Sequence, residues 1–331
     1  MMVDRALRHI SRMGILVLSL TALGDVRSAD AQSPAPNIMR IVVPAGAGAP
    51  PDVLSRIIAN ELSETEGWRV TVENRPGALE TLALADVLKQ PADGRSLYAM
   101  SLPTIAVRAL LPAMAFRPET DLAPVIKTSS GANMLVVHPS VAAKSVSELV
   151  DILKSQPGKF NFSSGPFGTP AHLIGELFKL STGTRATHVP YQTLPQRLVD
   201  LLGGTNHFDF LNSTMAVDLV TSGKLRALAV TSPKRVAALK DTPTVVEQGF
   251  PDLVVEDWEG FGVKSGTPSE IVTRLNEAMN RALTKQRLRD AFAKIGMEPA
   301  GGTPAEFGHL IKAQTARWEK IIRNSGIKVP Q

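Results

Sequence analysis

The sequence predicts an α/β fold with two lobes, each built on a central, mainly parallel sheet that is flanked by helices. Three observations predict it. Short β-branched runs alternate with helical patterns, a second such series starts near Met134, and the chain ends in amphipathic helices. A chain of 331 residues that is 44% hydrophobic is also long enough to bury a sizeable core. We expect residues 37–138 and 232–331 to form the first lobe and residues 139–231 the second.

The first series begins with the β-branched triplet Ile41–Val43, which predicts a strand. Apolar residues then recur at helical spacing from Val53 to Leu62. A second strand is predicted at 70–73, where Asn-Arg-Pro-Gly ends it, followed by a helix at 81–89. A Pro-Ala-Asp-Gly turn precedes the third strand, at 96–100.

The second series contains strands and helices in the same alternation. Strands are predicted at 134–137, 160–162, 208–210 and 226–230, and helices at 145–155, from Thr169 and at 195–202. Three C-terminal helices are predicted at 268–286, 287–295 and 304–325. Because they follow both series, we expect the C-terminal segment to return to the first lobe.

The N-terminal segment, residues 1–31, has the features of a secretory signal peptide. Three arginines precede the apolar run Ile15–Leu23, and the A-x-A sequence Ala29–Ala31 predicts cleavage before Gln32. A membrane anchor is the alternative, but the run is about half of the ~20 residues that span a bilayer. The mature chain is therefore expected to be periplasmic, without membrane insertion.

Composition excludes several classes of function. The absence of cysteine excludes disulfide frameworks, thiolate metal sites and thiol catalysis. The formal charge is +5, and no block of lysine and arginine stands out, so nucleic-acid binding is not expected. A mild positive charge suits small anionic ligands.

The first candidate site is the loop after the first strand, with the sequence Ala45-Gly46-Ala47-Gly48-Ala49. Its glycines permit positive φ and close approach of the backbone, and the following helix start offers N–H groups to an anion. The loop lacks the G-K-[ST] sequence of a P-loop and the third glycine of a dinucleotide site. A simple strand-to-helix connection is therefore an equally good interpretation of these residues.

Asp52, at the start of the predicted helix, has two possible roles. It can contact ligand, or it can cap the helix and pair with Arg56 four residues later. The structural role is favoured, because a carboxylate repels an anionic ligand.

A second loop repeats the arrangement after the predicted strand at 160–162. Its candidate residues combine glycines, hydroxyl groups and one aromatic ring, and they are Ser164, Gly165, Phe167, Gly168 and Thr169. Two such loops can hold one carboxylate from both lobes. The alternatives are a helix cap for Thr169 and core packing for Phe167.

Tyr191 and Trp258 can each form a ring wall, or can pack structurally. The six histidines show no metal-binding spacing, and no G-x-S-x-G sequence is present. No metal, cofactor or catalytic residue is therefore expected.

A series of ordered motifs extends over the mature chain. It comprises the VVPxxxGxxxD outline at 42–52, VENRPG at 72–77, DG at 93–94, KSVSEL at 144–149, HL and GELF at 172–178, HVPY at 188–191, LLGG at 201–204, GKLRALAVTS at 223–232 and GTP at 266–268. Together they resemble the periplasmic solute receptors of tripartite tricarboxylate transporters, the Bug receptor family.

The resemblance implies a type II periplasmic binding fold whose two lobes hold a small carboxylate, largely through backbone groups and bridging water. It also implies a partnership with the integral membrane permease subunits of a transporter, and a monomeric receptor. With the candidates above, it places Gln192 and Asn212 in the ligand site.

Several residues depart from the family pattern where ligand is expected. The family commonly has an aromatic residue at Ala45, glycine at Ala49, glycines at Leu79 and Glu80, and an acidic residue at Leu211. Glycine and a polar residue are usual at Pro166 and Phe167. These departures predict a less polar pocket, which favours an aromatic or aliphatic monocarboxylate over a citrate-like polyacid.

Two rival functions remain at this point. An enzyme on the same architecture can use Ser164 or Tyr191, but no activating base stands at a recognisable spacing. A sensor that signals to a membrane partner is not distinguished by sequence from a transport receptor.

Overall fold

Residues 38–327 are described by a computed structural model, and ten strands within them join into one mixed sheet. The proposed signal peptide lies outside the described residues. The strands are β1 (Ile38–Val43), β2 (Arg69–Asn74), β3 (Ser96–Ser101), β4 (Leu122–Val137), β5 (Asn161–Ser164), β6 (Thr187–Pro190), β7 (Phe208–Asn212), β8 (Arg226–Val230), β9 (Glu256–Lys264) and β10 (Glu298–Pro299).

The sheet contains two parallel groups of three strands, joined by antiparallel strands. Its order is β2-β1-β3-β9-β4-β7-β5-β6, and β8 and β10 also pair with β4. β1 runs parallel to β2 and β3, and β5 runs parallel to β6 and β7. The pairings of β4 and β9 are antiparallel. The expected parallel pairing therefore describes each group, whereas the strands between them run the other way.

β4 joins the two groups because it is 16 residues long. Its first part pairs with β9, and its last residues, from Asn133 to Val137, pair with β7. One continuous strand therefore belongs to both halves of the sheet.

Eleven α-helices of the described chain cover the sheet. They are α1 (Pro50–Glu66), α2 (Thr81–Leu88), α3 (Leu102–Leu110), α4 (Pro118–Asp121), α5 (Val146–Ser155), α6 (Pro170–Thr182), α7 (Leu194–Leu202), α8 (Ser213–Thr221), α9 (Ser269–Leu283), α10 (Gln286–Lys294) and α11 (Pro304–Ser325). None of the helices in residues 38–327 has the length and apolar character needed to cross a bilayer.

The core lies on both faces of the sheet. On one face, α1, α9 and α10 cover β1 with a cluster that includes Leu54, Ile58 and Leu62, spaced four residues apart on α1. On the other face, a larger cluster extends from α2 and α3 to α6 and α11, with Trp258 and Trp318 among its members. The helical spacing that predicted α1 is thus confirmed as its buried face.

Most predicted elements are present within a few residues of their expected ends. Sequence patterns did not predict α3, α4, α8 or β10, and they predicted neither most of β4 nor β9 as a full strand.

Candidate functional site

The first loop leaves β1 and enters α1 through an ordered turn. Gly48 has φ +81°, and the Ala49 N–H donates to the Gly46 carbonyl at 3.2 Å. Pro50 and Pro51 begin the helix, which removes two N–H groups from its start. The N–H groups of Gly46 and Ala47 make no hydrogen bond within residues 38–327, and both residues are exposed.

The carboxylate of Asp52 stabilises this loop through hydrogen bonds and does not point towards an anionic ligand. The residue is 3% exposed, and its carboxylate accepts hydrogen bonds from the Gly48 N–H at 2.8 Å and from Asn74 Nδ2 at 2.9 Å. Arg56 Nε donates to it at 3.0 Å. Burial acts to raise the pKa of Asp52, but the bonds from Arg56, Gly48 and Asn74 outweigh it and lower the pKa. Asp52 therefore positions the loop, and the Gly48 N–H is already used.

Asn74 supports the same loop from the end of β2. Its side-chain amide donates to the Ala45 carbonyl at 3.0 Å, as well as to Asp52. Of the amides proposed to hold a carboxylate, those of Gly48 and Ala49 are occupied within the loop. The available donors are Gly46 and Ala47.

The second loop leaves β5 and enters α6. Gly168 has φ +84°, and its N–H donates to His172 Nδ1 at 3.1 Å. Thr169 stands at the N-cap position, but its hydroxyl donates to the Pro166 carbonyl at 2.7 Å instead of capping the helix. Gly165 lies close to Thr169, where an added Cβ would meet the threonine side chain at 3.2 Å.

Three aromatic rings pack behind this loop. Phe167 meets His172 and His188 edge-on, with ring centroids 5.1 and 5.2 Å apart. Ser164 Oγ lies 2.6 Å from His188 Nε2. Burial lowers the pKa of His172 to about 4 and that of His188 to about 3, so both rings are neutral near pH 7. Phe167 thus packs within its own half of the sheet.

His172, His188 and Glu176 offer ligand atoms within 4.8 Å of one another, which is a spacing that can hold a metal ion. Each group is already engaged. His172 Nδ1 accepts from Gly168, His188 bonds Ser164, and Glu176 pairs with Lys179 at 2.8 Å. The acceptor role of Nδ1 also fixes the proton on Nε2 of a neutral His172, which blocks that atom as a ligand. We therefore assign the three groups a structural role.

The remaining predicted site residues lie outside the two loops. Tyr191 donates its hydroxyl proton to Asp200 at 2.6 Å, and Gln192 is exposed. Trp258 is 2% exposed and packs edge-on against Phe307 of α11, as the alternative of structural packing predicts. Asn212 is buried, and its Nδ2 donates to Asp257 Oδ2 at 3.1 Å.

A strained turn follows β2. Ala78, Leu79 and Glu80 all have positive φ, at 47°, 50° and 70°, in a conformation that L side chains rarely adopt. A Cβ added to Gly168 would lie 3.2 Å from Leu79 and 3.1 Å from Leu110. The second loop therefore meets this turn and α3.

Glu80 turns inward from the strained segment. Its Oε2 accepts hydrogen bonds from Thr104 at 2.7 Å and from Tyr98 at 2.9 Å. Burial raises the pKa of Glu80 to about 7, although both hydrogen bonds oppose the shift. Glu80 departs from the family pattern at this position, and the sequence alone predicted no role for its side chain.

Two further carboxyl groups, Asp257 and Glu259, are buried on β9, with 7% and 6% of each residue exposed. Burial raises the pKa of Asp257, while the Asn212 side chain opposes the shift. Burial and the charges of Asp257 and Glu80 raise the pKa of Glu259 well above its ordinary value. Glu80, Asp257 and Glu259 are called the acidic cluster below.

Known proteins of one receptor family are similar to this chain over nearly all of its described residues. The model of a family described as the tripartite tricarboxylate transporter family receptor matches residues 54–327. Protein BugT of Bordetella pertussis is 32% identical over 324 residues, which cover 97% of this chain and 98% of BugT.

Solved structures agree in fold. The R. palustris protein Rpa4515 with adipate has a TM-score of 0.78 and 35% identity, covering 88% of this chain and 98% of that protein. MatC from Rhodopseudomonas palustris with bound malate has a TM-score of 0.77 and 28% identity, covering 86% and 98%. The predicted α/β fold of periplasmic binding proteins is thus confirmed.

Proposed function

The chain belongs to the tripartite tricarboxylate transporter receptor family, and from this membership we propose that it captures a small carboxylate between two lobes and delivers it to membrane permease subunits. As a family member it is a solute-binding receptor. The proposed lobes are residues 37–138 with 232–331, and residues 139–231. We include export through the segment at 1–31, with cleavage before Gln32, and a monomeric receptor without catalytic activity.

The observation that carries the proposal is the contact of the second loop with the first proposed lobe. Gly168 of the loop lies against Leu79 and Leu110, which belong to the other lobe. Segments of both lobes therefore meet beside the loop that is expected to hold ligand. Such a contact supports a closed state that ligand stabilises and a permease can recognise.

The candidate donors for the carboxylate are the Gly46 and Ala47 amides, because they are exposed and make no hydrogen bond within residues 38–327. Gly48, Ala49 and Asp52 give the loop its shape. Relatives with adipate and malate bound make a carboxylate the natural ligand class to test.

The test is native mass spectrometry of the exported protein, followed by titration calorimetry of the refolded protein with adipate, malate, benzoate and citrate. We expect a small acid to co-purify, and at least one mono- or dicarboxylate to bind more tightly than citrate. The proposal fails if no carboxylate binds and no acid co-purifies. N-terminal sequencing of the exported chain tests the cleavage before Gln32.

A further inference from the structure

The acidic cluster lies where the two strand groups join. Asp257 and Glu259 are two residues apart on β9, so their side chains share one face of the sheet. Ser129 of β4 stands opposite Glu259, and Asn133 of β4 stands opposite Asn212 of β7. Directly opposed side chains of antiparallel strands share a face. One polar row therefore extends from β9 across β4 to β7.

Three buried atoms of this row have no hydrogen-bond partner within residues 38–327. They are Glu259 Oε2, Ser129 Oγ and Asn133 Nδ2. Their residues are 6%, 0% and 2% exposed. Buried polar atoms are nearly always paired, so a group of unpaired atoms on one face indicates a missing partner.

The partner expected from charge is a cation. Within residues 38–327, no arginine, lysine or histidine forms an ion pair with the acidic cluster. The charges that act on Glu259 are those of Asp257 and Glu80, and both are negative. A buried carboxylate needs a positive partner or a proton.

We propose that the acidic cluster is the subsite for a protonated nitrogen of the solute, which is therefore a carboxylate that also carries an amine. This inference rests on the proposed receptor function and specifies its ligand class. Glu259 Oε2 accepts from the ammonium group, and Ser129 Oγ is placed to accept as well. Asn133 Nδ2 is a donor and suits the carboxylate end of such a molecule.

The position of the cluster agrees with a site that closes around ligand. Asn212, from the second proposed lobe, donates to Asp257 of the first. Glu80 directly follows Leu79, which meets Gly168 of the second loop. The acidic cluster is thus bordered on two sides by contacts between the proposed lobes.

The same charges disfavour a dicarboxylate. A second carboxylate placed beside Glu259 would add a negative charge to a buried group that already contains three carboxyls. The ligand is therefore expected to present a cation, and not a second anion, to this face.

The test compares ligands of equal chain length that differ only at one end. Titration calorimetry of the refolded exported protein is done with succinate and 4-aminobutanoate, with glutarate and 5-aminopentanoate, and with adipate and 6-aminohexanoate. We expect the aminocarboxylate to bind at least about tenfold more tightly than its dicarboxylate partner at one or more lengths. The diamine 1,4-diaminobutane is the probe without any carboxylate.

Glu259→Gln keeps the shape of the side chain and removes its charge, so it should reduce the preference for the aminocarboxylate at least about tenfold. Glu277→Gln, on the exposed face of α9, is the matched control and should leave the preference unchanged. The comparison of ligands on the unaltered protein decides the question even if Glu259→Gln does not fold.

The outcomes separate the two proposals. If dicarboxylates bind as tightly as aminocarboxylates at every length, the cation subsite is overturned and the carboxylate receptor stands. Binding of benzoate or citrate alone would also overturn the cation subsite and leave the carboxylate receptor standing. Binding of the diamine alone supports the subsite and contradicts the carboxylate function, and no binding by any probe overturns both.

Discussion

Replacing Glu80 with glutamine should make the protein more stable at alkaline pH while having little effect at pH 5. Glu80 is buried, and its Oε2 accepts from both Thr104 and Tyr98. The amide oxygen of glutamine can accept both bonds, and its NH₂ group takes the place of the protonated oxygen. The substitution therefore keeps the shape of the protonated acid and removes its titration.

The magnitude follows from the pKa of Glu80, which rises from an ordinary 4.5 to about 7 in the folded chain. At about 1.4 kcal/mol per pKa unit, this shift is worth about 3 kcal/mol. Between these two pH values the folded state holds more protons than the unfolded state. The stability of the unaltered protein therefore falls as pH rises through this window. Glu80→Gln escapes that loss, so its advantage should grow by about 2–3 kcal/mol from pH 5 to pH 8.

Urea unfolding at pH 5 and pH 8, followed by tryptophan fluorescence, measures this difference. Glu270→Gln, at an exposed position of α9, serves as the control and should show no pH-dependent gain. An effect of Glu80→Gln that is equal at both pH values would refute the burial of a titrating carboxyl group at this turn.

Three further tests concern the loops. Asp52→Ala should cost about 1–3 kcal/mol in urea unfolding and weaken ligand binding, because the Gly48 N–H loses its acceptor; unchanged affinity would contradict the positioning role. Gly168→Ala should cost about 1–3 kcal/mol through its positive φ and its approach to Leu79, and Leu79→Ala should recover part of that loss in a double-mutant cycle. His172→Asn keeps an acceptor for the loop. The unfolded histidine gains a proton below pH 6.5, whereas the buried His172 stays neutral down to about pH 4, so the stability of the unaltered protein should fall across this range. The His172→Asn variant should lose less stability between these pH values in urea unfolding. Equal losses in the two proteins would show that His172 does not cause the fall in stability.

The sequence predicted the regular parts of the fold because local patterns determine them. The triplet Ile41–Val43 and the fourfold spacing in α1 are visible without any tertiary information. The strand β9 was not visible, because Asp257 and Glu259 are charged and Gly260 interrupts the run. Gly260 is required by packing, since an added Cβ would meet the Phe307 ring at 2.4 Å. Only the tertiary contact explains that residue.

Local patterns also predicted part of the candidate site, whereas the rest depends on tertiary contacts. Glycine-rich loops after predicted strands identified Gly48 and Gly168, and both have the positive φ expected of such turns. The acidic cluster was missed because its members come from two distant segments, the turn at Glu80 and strand β9. Glu80 alone carried a signal, as a glutamate where the family commonly has glycine.

The strained turn at 78–80 and the unpaired oxygen of Glu259 have a common consequence for binding. Three successive residues with positive φ cost about 1–3 kcal/mol each, and glycine at Leu79 and Glu80 would remove most of that cost. Keeping both side chains places Leu79 against Gly168 of the second loop, and the charge of Glu80 acts on Glu259. In an open receptor, water can solvate those carboxyl groups, whereas closure removes the water and leaves Glu259 Oε2 unpaired. Under the proposed cation subsite, a ligand that supplies a positive charge would stabilise the closed state more than the open one, and that difference would couple its capture to closure.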